Sequence, residues 1–289
     1  MRDKKTVLEL TVIGSDRKGV VAAFTNLLFR KGGNIESVNQ NVVKGLFGMQ
    51  LEASFNHVDE EELTKEFRSL GRDLGMEVGV HYQEKGRDLN LAILVTKENH
   101  CLESILSAVK RRTLKARIAV IVGSENTLGH IARENKIPFH SVSDPDQGVR
   151  EKKILQILQE YNVDYIALAR YMRILAPNFV WRYPNKIINI HPSLLPAFPG
   201  AYAYEQAYEK GARIVGCTAH FVTMDLDEGP IIWQESFRVS QNDTLQSIRA
   251  HGKELEARAL VKALELYCNG KLEVRWGRVS IKSTPKKSP

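Results

Sequence analysis

Asn189-Ile190-His191-Pro192-Ser193-Leu194-Leu195-Pro196-Ala197-Phe198-Pro199-Gly200 follows the apolar, β-favouring residues Ile187 and Ile188. The prolines and the glycine forbid any regular continuation, so a buried strand is predicted to end here at a surface. Strand side chains alternate, which points Asn189 and His191 to one side and Ile188 and Ile190 to the other. An amide donor and an imidazole then converge at a strand's carboxyl end, where open α/β sheets place their sites. The pair suits stabilisation of an oxyanion as a nucleophile adds to a carbonyl carbon. A lone His after a strand is more often a hydrogen-bonded structural residue, so the pair gains weight only from its surroundings.

Upstream, strands and helices alternate. Strands are predicted over 89–95, 116–122, 139–142 and 163–168, and helices over 102–111, 125–135 and 149–160. That order implies a mostly parallel, Rossmann-like sheet with helices on both faces. Dinucleotide binding fails on detail, because Thr96-Lys97-Glu98-Asn99-His100 follows the first strand with no glycine to admit a pyrophosphate. Downstream come a helix over 203–210 and a strand over 214–222 that puts Thr218 and His220 on one face. The acid-rich turn Thr223 to Pro230 leads into a strand over 231–239. A long amphipathic helix over 244–266 is expected to bury Leu245, Ile248, Leu255, Leu260, Val261 and Leu264. A final strand-like piece spans 272–281. The second domain is accordingly placed at 88–281, followed by a disordered basic tail, 282–289.

Residues 1–84 read differently. Strands over 6–13, 35–43, 47–55 and 76–82 and helices over 18–30 and 60–74 give the ferredoxin-like order βαββαβ. No nucleophile, metal cluster or phosphate loop is visible in it. The polar run Lys85-Gly86-Arg87-Asp88 marks the boundary.

The length of 289 residues suits two domains. A net charge of +7 admits either RNA or an anionic metabolite as partner, and Arg2, Lys4, Lys5, Lys282, Lys286 and Lys287 concentrate part of it at the two ends, where solvated tails are expected. Cys101, Cys217 and Cys268 are odd in number and widely spaced, which argues for a reducing compartment and against a disulfide scaffold or a zinc site. Neither a signal-peptide core nor a membrane-spanning stretch is apparent, so a cytoplasmic protein with no membrane or nucleic-acid partner is expected.

The first domain resembles the ACT family of ligand-sensing domains in its first strand, in Asp16-Arg17-Lys18-Gly19-Val20-Val21, in the Gly33-Asn34-Ile35 turn and in element order. The resemblance implies an amino-acid effector near Asp16, Gly19, Val20, Asn34 and Ile35, and assembly as a homo-oligomer, a dimer or tetramer. Glycine or methionine is the expected effector.

In the second domain, NIHPSLLPAFPG, Thr218-Ala219-His220-Phe221-Val222-Thr223 and Asp225-Leu226-Asp227-Glu228-Gly229-Pro230 resemble the formyltransferase family that uses 10-formyltetrahydrofolate. The resemblance implies a catalytic set of Asn189, His191 and Asp227. It implies folate contacts from Arg173, Ile174 and Leu175, from His220, and from Met224 and Asp225, with neither metal nor separate cofactor. The family in which this domain follows an ACT domain is the formyltetrahydrofolate deformylases, cytoplasmic hydrolases of a linear amide C–N bond on the purine one-carbon route. One departure leaves formyl transfer to an amine, such as glycinamide ribonucleotide, as the alternative. His191 is followed by Pro192, as in glycinamide ribonucleotide formyltransferases, where deformylases tend to carry a second His.

Overall fold

The computed structural model describes residues 5–82 and 87–282. The Lys85-Gly86 part of the expected boundary, the cations at 2 and 4, and the expected tail beyond Lys282 lie outside them. The chain divides into two compact units, Met1–Arg87 with Pro177–Pro184, and Asp88–Ala176 with Asn185–Pro289.

In the first unit, β1 (Thr6–Ser15), α1 (Val20–Arg30), β2 (Asn34–Val43), β3 (Leu46–Phe55), α2 (Glu60–Leu74) and β4 (Met76–Tyr82) follow the expected order. The sheet runs β2-β3-β1-β4, its neighbours antiparallel. Alternation along β1 buries Leu8, Leu10 and Val12 beneath Phe24 of α1 and Phe67 of α2. These two rings stack at 6.2 Å between centroids. Helix α2 starts where Asp59 accepts a hydrogen bond from Glu62 N and ends at Gly75, whose φ of 64° closes the last turn.

The second unit carries β5 (Leu89–Val95), α3 (His100–Lys110), β6 (Ala116–Gly123), α4 (Gly129–Glu134), β7 (Phe139–Ser141), α5 (Gln147–Glu160) and β8 (Tyr165–Ala169). The short helix α6 (Pro177–Val180), which sequence periodicity does not reveal, belongs by its contacts to the first unit. Then come β9 (Ile187–His191), α7 (Ala203–Glu209), β10 (Ile214–Phe221), β11 (Ile231–Arg238), α8 (Leu245–Cys268), β12 (Leu272–Arg275) and β13 (Arg278–Ile281). The seven-stranded sheet has the order β11-β10-β9-β8-β5-β6-β7. Its β7 to β9 segment is parallel, and β10 and β11 add antiparallel strands at one edge. The α/β class and the mostly parallel sheet thus agree with the sequence-based expectation.

Three elements depart from it. The residues 125–128 form turns, and α4 begins only at Gly129. The piece at 272–281 is a hairpin, because Trp276 and Gly277 both take positive φ, 52° and 71°, the geometry of a tight two-residue turn. On α8, Ile248, Leu255, Leu260 and Leu264 are buried and Leu245 and Val261 partly so, yet Glu256 is also buried, at 1% exposure.

Candidate active site

Strand β9 is flanked by β8 in parallel and by β10 in antiparallel register. The β10 register sets His220 opposite Asn189 and Thr218 opposite His191, so the residues that alternation assigns to one face become direct cross-strand neighbours. Asn189 Nδ2 lies 3.2 Å from His220 Nε2. The other ring nitrogen, Nδ1, is 2.9 Å from Phe221 O and therefore carries the hydrogen. Nε2 is left as an acceptor, which turns the Asn189 amide so that its nitrogen faces the ring. Burial, the largest influence, lowers the His220 pKa below the ordinary imidazole range, against the opposing pull of Phe221 O and Asp227. A neutral ring at this position is what the hydrogen-bond pattern requires.

His191 is buried and occupied at both ring nitrogens, with Nε2 2.9 Å from Phe198 O and Nδ1 3.3 Å from Asp227 Oδ2. Each ring nitrogen thus faces an oxygen acceptor. The Asp227 carboxylate also accepts from Gly200 N at 2.9 Å through Oδ2, while Oδ1 stands 3.9 Å from His220 Nε2. Asp227 has a φ of 59°, an uncommon backbone conformation for a residue other than glycine. The acid-rich turn closes on β10 because Gly229 has no side chain: a Cβ there would sit 1.7 Å from Phe221 O.

The segment between β9 and α7 supplies two of these contacts, from Phe198 and Gly200, and Thr218 holds that segment in place. Its Oγ1 donates to Ser193 O at 2.7 Å and accepts from Leu195 N at 3.0 Å and Gln234 Nε2 at 2.9 Å. Neither backbone contact to the site is legible in sequence, because a peptide group has no residue signature.

Asn189, His191, His220 and Asp227 are therefore brought together. Met224 and Asp225 lie on the same turn as Asp227, half-buried and exposed respectively. Arg173, Ile174 and Leu175 lie on the segment after β8, where Arg173 and Ile174 are exposed and Leu175 is buried. That segment is pinned elsewhere, by Met172 N to Thr96 Oγ1 (3.0 Å), Gln147 Nε2 to Ile174 O (3.1 Å) and Ala176 N to Glu151 Oε1 (2.8 Å). In the first unit, Gly19 holds a φ of 88° before α1, Val20 is buried, Asp16 N donates to Gly45 O, and Asn34 Nδ2 donates to Glu36. Ile35 is exposed on β2.

The chain matches the formyl transferase family over residues 89–264 and the ACT domain family over residues 6–81. It is 36% identical over 273 residues to the formyltetrahydrofolate deformylase of Bacillus subtilis (strain 168), an overlap covering 92% of this chain and 90% of that protein. A formyltetrahydrofolate deformylase crystal structure from Pseudomonas syringae superposes with a TM-score of 0.67 at 27% identity, covering 96% of this chain and 95% of that one. Glycinamide ribonucleotide transformylase 1 from Symbiobacterium toebii reaches 0.65 at 33% identity, but over 70% of this chain against 97% of its own. That shorter match leaves nearly a third of the chain unaccounted for, whereas the deformylases are matched over almost their whole length. With both domains present in this order, the chain belongs to the formyltetrahydrofolate deformylase family.

Proposed function

We propose that the protein hydrolyses 10-formyltetrahydrofolate to formate and tetrahydrofolate, with Asn189, His191 and Asp227 as the reacting set. The observation that carries this reading is the Asn189–His220 and His191–Asp227 pairing around one strand end. The Asn189 amide donates to the formyl oxygen as it becomes an oxyanion, and the His191 ring, oriented by Asp227, stabilises the same negative charge. Asp227 Oδ2 is taken up by Gly200 N and His191, so Oδ1 is the oxygen free to accept a proton from water. The water oxygen bonds to the formyl carbon. The C–N10 bond then breaks, N10 takes a proton, and formate leaves.

Arg173, Ile174 and Leu175 on one side, and His220, Met224 and Asp225 on the other, are the residues assigned to the folate. No separate cofactor or metal is assigned to the reaction. We read the released formate as a one-carbon unit for purine biosynthesis. The ACT unit is read as the seat of an amino-acid effector, glycine or methionine, at Asp16, Gly19, Val20, Asn34 and Ile35. The edge strand β2 is exposed along nearly its whole length, with Ile35, Val38 and Val42 accessible, which fits pairing with a second copy in a dimer or tetramer. Among the described residues no helix is long and apolar enough to cross a membrane, and the reading assigns the protein to the cytoplasm.

Pro192 after His191 keeps a second reading, transfer of the formyl group to an amine such as glycinamide ribonucleotide. The purified protein mixed with 10-formyltetrahydrofolate and no acceptor separates the two. Formate released at an enzymatic rate supports hydrolysis; formyl loss only on adding glycinamide ribonucleotide supports transfer.

A further inference from the structure

Glu256 is the least expected charge in the second unit. It sits on α8 one turn after Gly252 and one turn before Leu260, on a stretch that buries Leu255, Ala259 and Leu264. Burying a carboxylate is strongly disfavoured unless donors and cations surround it. Its Oε2 is 3.0 Å from His100 Nε2 and 3.5 Å from Arg170 Nε. The nearby Tyr204 hydroxyl has its pKa raised first by burial and then by the Glu256 charge. Glu98, whose carboxyl is held low chiefly by a hydrogen bond from Lys253, stands 3.9 Å from His100 Nδ1. Cys101 Sγ is within 4.8 Å of the same ligand atoms. Arg170 already brings the positive charge that a cation would supply, and burial raises the thiol pKa, so these groups form a protein ion-pair cluster instead of a metal centre.

The cluster joins two loops that the topology makes important. His100 follows the end of β5 and Arg170 follows the end of β8, and these strands are neighbours. From β5 the chain goes to β6 and β7 on one side of the sheet, then crosses to β8 and β9 on the other. Such a switch point leaves a crevice at the strands' carboxyl ends. Thr96 Oγ1 bridges the same two ends through Met172 N. Arg170 also takes a φ of 61°, a backbone state that needs outside support in a residue with a side chain.

We propose that Glu256 is a positioning residue for the folate. By pairing with Arg170 and His100 it locks the loop after β8, so that residues 171–175 present a fixed wall to the substrate. The proposal rests on 10-formyltetrahydrofolate being that substrate.

The test compares wild type with Glu256→Gln and with the double variant Glu256→Gln/Arg170→Gln in steady-state assays and thermal melts. Loss of wall geometry removes binding shared by ground and transition states, so KM rises about tenfold while kcat stays within about threefold. The single variant leaves Arg170 unpaired and melts lower. The double variant leaves no uncompensated charge, recovers melting temperature and keeps the high KM; it carries the test alone where the single variant does not fold. An unchanged KM in a folded variant overturns the proposal, as does stoichiometric zinc in the purified wild type. A wild type that removes the formyl group from 10-formyltetrahydrofolate neither alone nor with glycinamide ribonucleotide added defeats the substrate reading and this proposal together, whereas an active wild type beside variants of normal KM defeats only the proposal.

Discussion

Asn189 and His220 face each other across the β9–β10 pair with Nδ2 and Nε2 3.2 Å apart. The histidine spends its one hydrogen on Phe221 O and uses its lone pair to orient an amide. A residue usually read as an acid–base group thus serves here to orient a neutral donor, the one proposed to meet the formyl oxygen.

Asn189→Ala removes that donor. Turnover is expected to fall about 10²-fold or more, the scale of losing one oxyanion-hole donor. Steady-state kinetics with 10-formyltetrahydrofolate measure it, and near-normal kcat would reject the assignment of Asn189.

Asp227→Asn keeps the shape of the turn but loses both the charge facing His191 and the oxygen proposed to take water's proton. A loss of roughly 10²- to 10⁴-fold in kcat is expected, as for removal of a general base. Little change in folate affinity, measured by titration calorimetry, should accompany it.

His220 makes stability depend on pH in a stated direction. Its pKa is lowered in the folded chain from an ordinary 6.5, so on acidification the unfolded chain takes the proton first. The group's contribution to stability is complete above 6.5 and is lost as pH falls toward the folded-state value. Melting temperature should drop over that window in wild type and less steeply in His220→Gln. Parallel curves for the two proteins would show that another group carries the dependence.

Gly229→Ala tests how the acid-rich turn reaches the site. A Cβ 1.7 Å from Phe221 O cannot be accommodated without moving backbone. Destabilisation of about 1–3 kcal/mol is expected from the forced shift, together with lost activity because Asp227 moves with the turn. Chemical denaturation and formate release report the two effects separately.

Val38→Lys places a charge on the exposed β2 edge, far in sequence from every residue of the active site. If copies pair along this edge, sedimentation should show a smaller species than wild type, with the folded protein retained. Unchanged sedimentation would place the interface elsewhere.

Much of this arrangement is carried by local pattern. Period-two alternation alone assigns Asn189 with His191, and Thr218 with His220, to shared faces, and Pro192 and Gly200 mark where the strand must end. The acid-rich turn is visible as a turn. What alternation cannot supply is register, since sliding β10 by two residues would preserve every face while separating His220 from Asn189.

Glu256 shows the same limit from the other side. A charge between Gly252 and Leu260 on a helix face is a visible irregularity, but its partners, His100 and Arg170, come from segments distant in sequence. The chain by itself determined most of its strands and helices and the chemical kinds present at the strand end, because these depend on neighbours a few residues apart. Only the tertiary structure decided which amide meets which imidazole, that Phe198 O and Gly200 N complete the site, and that a buried carboxylate ties two loops together. Those pairings depend on the packing of remote segments, where desolvation makes each hydrogen bond and ion pair conditional on all the others.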